Sequence, residues 1–142
     1  MENDKGAPTL ARGRLESGGL ADVRDILVTD AYPGTGGLSA RIAFGRDGML
    51  YMATGGNVGT VAQEPGSLRG KILRLRDDGS APPDNPFANR TGYRPDIYAL
   101  GYRNSLGLMV HPETGALWNN ENAPTAAMRS TSFSPATITA GP

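Results

Sequence analysis

Apolar and polar positions alternate along this chain in short runs, and nearly every run stops at a Gly- or Pro-containing turn. No stretch repeats apolar residues at helical spacing. The clearest unit runs from Ser39 to Thr54, where the apolar stretches Ile42–Phe44 and Met49–Met52 flank Gly45-Arg46-Asp47-Gly48. An Asp-Gly pair tolerates positive φ, so this spacing predicts a β-hairpin. Lys71 to Arg76 alternates, with Leu73 and Leu75 on one face and Arg74 and Arg76 on the other. That pattern predicts a half-exposed strand. Four prolines between Ala81 and Pro95 exclude a regular interior strand there. Ile97 to Gly101 reads as a strand opening a second unit. In that unit Leu106–Val110 pairs through a five-residue turn with Ala116–Trp118. The second unit repeats the first: Phe44 corresponds to Val110 and Gly48 to Gly115. Self-similar strand–turn–strand units, here offset by 66 or 67 residues, are the signature of a β-propeller, whose blades cover one another's faces. Leu20–Ile26 predicts one further short strand, whereas residues 1–19 are polar and show no usable period.

Composition narrows the reading. Leu, Ile, Val and Phe make up only 26 of 142 residues, against 31 Gly and Pro. That poverty borders on disorder, but a disordered chain usually carries a large net charge, and here 14 basic residues balance 14 acidic ones. Short strands that need neighbours to bury their faces give the same counts, so a piece of a larger all-β protein is expected. Zero net charge argues against nucleic acid as a partner. No apolar run is long enough for a membrane span, and the N-terminus lacks the apolar core of a signal peptide. Without cysteine, disulfides, thiolate metal sites and cysteine nucleophiles are excluded.

The candidate chemistry is sparse. Gly66 to Lys71 is one residue short of a phosphate loop, and Ile72 stands where its hydroxyl belongs. Asp77 and Asp78 lack the alternating ligands of a calcium loop and read as a turn. His111, the sole histidine, sits at the mouth of a Pro-containing turn, so a solvated turn residue is expected rather than a general base. Arg103-Asn104 is the pair best suited to a ligand. Arginine offers a rigid fork for carboxylates, asparagine adds a donor and an acceptor, and Gly107 follows closely. A surface polar pair is the plain alternative.

Taken together, three segments resemble the glucose/sorbosone dehydrogenase family of soluble quinoprotein sugar dehydrogenases. They are RIAFGRDGMLYMATG (Arg41–Gly55), AQEPGSLRGKILRLRDDGSAPPDNPF (Ala62–Phe87) and IYALGYRNSLGL (Ile97–Leu108), the last continuing through HPETGALWNNENAP to Pro124. The resemblance implies a six-bladed β-propeller of which residues 20–124 form about two blades. It implies pyrroloquinoline quinone (PQQ) and calcium as cofactors, and hydride transfer from a small-molecule sugar to the quinone. Arg103 and Asn104 match the family's cofactor-binding arginine and asparagine. The turn Glu121-Asn122-Ala123-Pro124 matches the family's E-x-G-P turn, whose backbone carbonyls hold calcium, so Ala123 and Pro124 would be the ligands. Relatives are exported, so a periplasmic or secreted location is implied.

Two departures weaken the chemistry. The resemblance places a general-base histidine four residues before Arg41, where this chain has Gly37, and an aspartate in a T-G-D turn, where it has Gly56. A base of that kind contributes about 10²–10⁴-fold. No catalytic residue is therefore assigned, and two blades unable to close a ring are expected to be inactive alone. The alternative is a propeller that recognises carbohydrate or protein without chemistry. Residues 125–142 are expected to be a disordered or out-of-frame tail, since fifteen of the last twenty residues are Ala, Ser, Thr or Pro. Dropping one base from plausible codons of the family's G-P-N-G-G-D-E-I-N-I yields Ala123 to Ser132 in this sequence.

Overall fold

A computed structural model describes residues 6–32, 39–56 and 60–122, and the backbone of 128–133. In chain order its strands are β1 (Thr9–Glu16), β2 (Gly19–Val28), β3 (Ala40–Phe44), β4 (Leu50–Thr54), β5 (Lys71–Leu75), β6 (Ile97–Leu100), β7 (Ser105–Val110), β8 (Leu117–Asn122) and β9 (Met128–Phe133). One 3-10 turn, Val61–Gln63, interrupts this all-β arrangement. The strands form three antiparallel sheets ordered β1-β2, β3-β4-β5-β6 and β7-β8-β9. Each strand pairs with its sequence neighbour, as in propeller blades. No helix among the described residues is long and apolar enough to cross a membrane.

The β3–β4 hairpin turns where the Asp-Gly pair predicts. Gly48 adopts φ +76°, a left-handed conformation that a Cβ would strain. Asp47 Oδ1 accepts the Met49 N–H at 3.1 Å and so closes the turn. At the matching turn of the second unit, His111 Nδ1 accepts the N–H groups of Glu113 and Thr114. The lone histidine is thus occupied in stabilising its own turn.

The central sheet is covered on both faces, and this corrects the half-exposed reading of residues 71–75, while Arg76 is exposed as expected. On one face Leu50, Met52, Leu73, Leu75 and Ile97 pack with Leu10 and, at the margin, Ile26 and Leu27 of the β1–β2 hairpin. On the other face Tyr51, Ala53, Ile72 and Tyr98 pack with Leu117, Leu108 and Val110 of the third sheet. Every residue of β4 and β5 is consequently buried, Arg74 and Lys71 included. Alternation of polar and apolar residues identified the strand; only the sheets stacked on either side settled its exposure.

Three further boundaries differ from the sequence reading. Residues 1–19, read as irregular, contain β1. That strand buries only Leu10 and leaves the rest in solvent, so it carries no alternation to detect. The strand Ile97–Leu100 closes the first sheet by pairing with β5 instead of opening the second unit. Of residues 125–142, expected as a disordered or out-of-frame tail, the described part is β9, which pairs with β8 from Leu117↔Phe133 to Asn122↔Met128; the rest lies outside the described residues.

Candidate functional site

The inner strands β3 and β7 lie against each other, and their starting ends share one rim with the ends of β4 and β8. Ser39, just before β3, donates its hydroxyl to Asn104 Oδ1, just before β7. Two residues on, Arg41 Nε donates to the Leu106 carbonyl at 2.8 Å. The two inner strands are thereby held at equal height, with Arg103 and Asn104 at the junction.

Arg103 is fixed from three directions. Its N–H donates to Glu121 Oε2 at 2.8 Å, its carbonyl accepts the Gly56 N–H at 2.7 Å, and its Nη1 donates to the Asn122 carbonyl at 3.1 Å. The Asn104 carbonyl accepts the Asn122 N–H at 3.0 Å. The predicted pair is therefore joined to the first two residues of the Glu121–Pro124 turn. Ala123, Pro124 and Gly37 lie outside the described residues. Arg103 and Asn104 are both partly exposed, and Arg103 Nε and Nη2 have no hydrogen-bond partner among the described residues. A fixed cation with two unpaired guanidinium nitrogens at a rim suits a carboxylate.

Gly56 acquires a role that its sequence could not suggest. A Cβ built there would stand 2.6 Å from Gly70 Cα and 2.7 Å from the Tyr102 carbonyl, both backbone atoms that cannot swing away. The loop after β4 thus touches the backbone just before β5 and that leading from β6 into Arg103, without space for a side chain. Restoring the family's aspartate by Gly56→Asp is expected to destabilise the chain by about 1–3 kcal/mol from overpacking alone. Urea unfolding measures this, and an unchanged midpoint would show that the loop yields.

Other candidates resolve into structure. Lys71, within the supposed phosphate loop, donates its ammonium to the carbonyls of Val61, Ala62 and Arg69 at 2.7–3.1 Å and is fully buried. It therefore offers nothing to a phosphate. Asp78 Oδ1 accepts the N–H and hydroxyl of Ser80, as a turn residue does. Among the described residues no three His, Asp or Glu side chains converge on a metal position. A hollow of about 330 Å³ opens between the sheets at the opposite rim, against Arg46, Asp47, Tyr51, Arg74 and Tyr98. Its charges are already paired: Arg74 meets Asp47 and Asp84 at 3.0 Å, and Arg46 bonds the Glu113 carbonyl. Sequence reasoning missed this network because Arg74 was assigned to solvent. The Asp84-Asn85 pair in the Pro-rich loop was the available signal, since Asn85 binds Arg74 through both its amide and its carbonyl oxygen.

Comparison with known proteins matches this arrangement. The family model described as glucose/sorbosone dehydrogenase matches residues 1–127. The aldose sugar dehydrogenase YliI of Escherichia coli is 34% identical over 127 residues, which cover 87% of this chain and 34% of that protein. A solved glucose dehydrogenase superposes with a TM-score of 0.88 at 31% identity, over 97% of this chain and 42% of that one. The PQQ-bound aldose sugar dehydrogenase of Streptomyces coelicolor superposes with a TM-score of 0.72 at 29% identity, over 90% of this chain and 38% of that one. This chain spans about a third of the length of its E. coli relative. Its sheets are those of a β-propeller, and by both sequence and fold it belongs to the glucose/sorbosone dehydrogenase family.

Proposed function

We propose that this chain forms one wall of the cofactor cup in a PQQ-dependent sugar dehydrogenase, with Arg103 and Asn104 gripping the quinone. The observation that carries this reading is the tie of Arg103 to the Glu121 carboxylate and the Asn122 carbonyl, which leaves the guanidinium Nε and Nη2 unpaired among the described residues at the rim. PQQ is a tricarboxylate, and the donor set fits it: a fixed guanidinium fork for a carboxylate, with an amide beside it. Bound PQQ supplies the electron-pair acceptor for oxidation of a sugar hydroxyl. Arg103 would pair with a cofactor carboxylate, Asn104 would orient it, and Glu121 keeps the Arg103 backbone in place. The carbonyls of Ala123 and Pro124 are the proposed calcium ligands. The sugar O–H proton needs a separate acceptor, and Gly56 leaves no side chain to take it. This chain is therefore expected to bind cofactor without turning over aldose.

Titrating the chain with PQQ in the presence of calcium, followed by quenching of Trp and Tyr fluorescence, tests the assignment. Arg103→Met is expected to weaken binding about 10- to 100-fold, the worth of one charge-assisted contact. Equal affinity in the variant, or no binding by the parent chain, would remove Arg103 from the site. The crowded backbone at Gly56 also favours a second reading, a propeller that has lost its chemistry and recognises carbohydrate or protein. Retained sugar binding without PQQ binding selects that one.

A further inference from the structure

We propose that the hollow between the two hairpin turns, at the rim away from Arg103, binds a neutral saccharide ring. This inference lies beyond the cofactor reading and uses none of its residues. The walls of the hollow come wholly from residues 45–117: the first hairpin with β5 and β6 on one side, the second hairpin on the other. Tyr98 is the side chain that points to a ligand. It stands on β6, lines the hollow and is only 8% exposed, yet its hydroxyl has no hydrogen-bond partner among the described residues. A buried phenol normally finds such a partner. The neighbouring Tyr51, in T-shaped contact at 5.3 Å between ring centroids, has one in Asp47 at 2.9 Å. The Tyr98 hydroxyl is left to whatever occupies the hollow.

The charges decide the class of ligand. Arg74 meets Asp47 and Asp84, and Arg46 crosses the mouth to the Glu113 carbonyl at 2.8 Å. Two guanidinium and two carboxylate groups sum to zero, and an ion of either sign would have to break a pair already made. A neutral ligand breaks none. Asp84 accepts Arg74 on both oxygens but is 69% exposed, so its remaining lone pairs can accept hydroxyl groups. Among the described residues Arg46 bonds only through Nη1, which leaves N–H groups for hydroxyl oxygens. Between these polar groups, Val110, Leu117 and the Tyr51 ring form an apolar wall. A sugar ring matches that combination, with hydroxyl groups around its edge and a C–H face that packs on apolar surface.

Size and rigidity agree with this. The volume of about 330 Å³ lies at the lower end of small-molecule sites, which run from about 300 to 1,000 Å³, and so suits a single ring. Arg46 ties the first hairpin turn to the second and lies close over Gly115, where a Cβ would stand 3.2 Å from Arg46 Cδ. The site is therefore formed before the ligand arrives, and little is left to order on binding. No bond is made or broken there; the hollow holds a sugar beside the protein, away from the cup.

Amide chemical shifts of the nitrogen-15-labelled chain, followed as D-glucose, D-galactose or maltose is added to about 50 mM, test the proposal. Shifts are expected at residues 45–47 and 110–117, with a dissociation constant of about millimolar order, and none at Arg103 or Asn104. Tyr98→Phe is expected to weaken binding about 3- to 10-fold, the worth of one hydrogen bond. Its urea midpoint is expected to stay unchanged, because the hydroxyl removed has no partner within the described protein. Thr114→Trp, which fills the mouth, is expected to abolish binding. Sodium acetate and tetramethylammonium chloride are expected to leave the same amides unmoved. Absence of shifts with all three sugars, equal affinity in Tyr98→Phe, or the same shifts from either salt would overturn the proposal. Sugar-induced shifts at Arg103 and Asn104 with the hollow silent would overturn it too, by placing the sugar in the cup. If Thr114→Trp fails to fold, Tyr98→Phe decides.

Discussion

Replacing Arg74 with alanine is expected to remove about 1–3 kcal/mol of stability, the consequence of deleting a buried guanidinium whose carboxylate partners are partly open to water. Arg74 sits in the middle strand of the central sheet. Burial opposes its charge, but bonds to Asp84 and Asp47 more than offset this and hold the guanidinium protonated. Without it, Asp47 keeps only the Met49 N–H and the Tyr51 hydroxyl, and Asn85 loses an N–H donor to its carbonyl oxygen. Asp84 matters less to the total because its carboxylate is exposed to water. The Pro-rich loop is also affected, since Asn85 bonds both the Arg74 and the Pro95 carbonyl. The pH dependence carries a signature of its own. Asp47 is held below the usual carboxylate range: burial pushes the other way, but the hydrogen bonds from Met49, Tyr51 and Arg74 prevail. Stability from a depressed carboxylate is present above about pH 4 and lost as pH falls through its folded value. The gap between parent and Arg74→Ala is therefore expected to narrow in acid. Urea titrations at neutral pH and near pH 3 measure both effects; a loss below about 1 kcal/mol at neutral pH would mean that water replaces the network.

The second large effect is alkaline. Burial lowers the Lys71 ammonium to about 8, with Asp30 and Glu64 offsetting part of the shift. Between about pH 8 and the unfolded lysine value near 10.4, the unfolded chain binds the extra proton, so stability rises with pH. The rise over that window is about 3 kcal/mol. Above about pH 10 the sign reverses. Burial raises Tyr32 to about 12 and pushes Tyr51, Tyr98 and Tyr102 up as well, so the unfolded chain loses tyrosine protons first and gains stability. A stability maximum close to pH 10 is expected, followed by a steep fall. Lys71→Met is expected to flatten the rise and leave the fall unchanged. A parent chain whose unfolding midpoint does not change between pH 8 and 10 would show that the three carbonyls stabilise the ammonium enough to cancel its burial.

The sequence made some elements legible and concealed others for physical reasons. The β3–β4 hairpin was readable because Asp47-Gly48 encodes its turn locally, in a left-handed glycine and a carboxylate that accepts from residue 49. Arg103 and Asn104 could be singled out because the family resemblance rests on a short contiguous segment, and the structure puts both just before β7. Strand β1 was not, since a strand burying only Leu10 has no alternation to display. The place of Ile97–Leu100 was hidden because a strand's partner is chosen across a long loop, and here it pairs back to β5. Tyr32, fully buried with its hydroxyl on the Gly55 carbonyl and its ring 4.7 Å from the Arg69 guanidinium, lies in a stretch with no pattern at all.

By itself, then, the order of residues determined the strand-and-turn alphabet of this protein, its all-β class and the position of an arginine–asparagine pair at a strand entrance. Those features depend on φ preferences and on neighbours within a few residues, so they are written locally. Tertiary structure alone decided that Lys71 and Arg74 are buried, that Gly56 fills a gap with no space for a carboxylate, and that Arg103 is bound to the Glu121 carboxylate and the Asn122 carbonyl. Each of these depends on which sheet lies over which, and stacking joins residues that the chain keeps far apart.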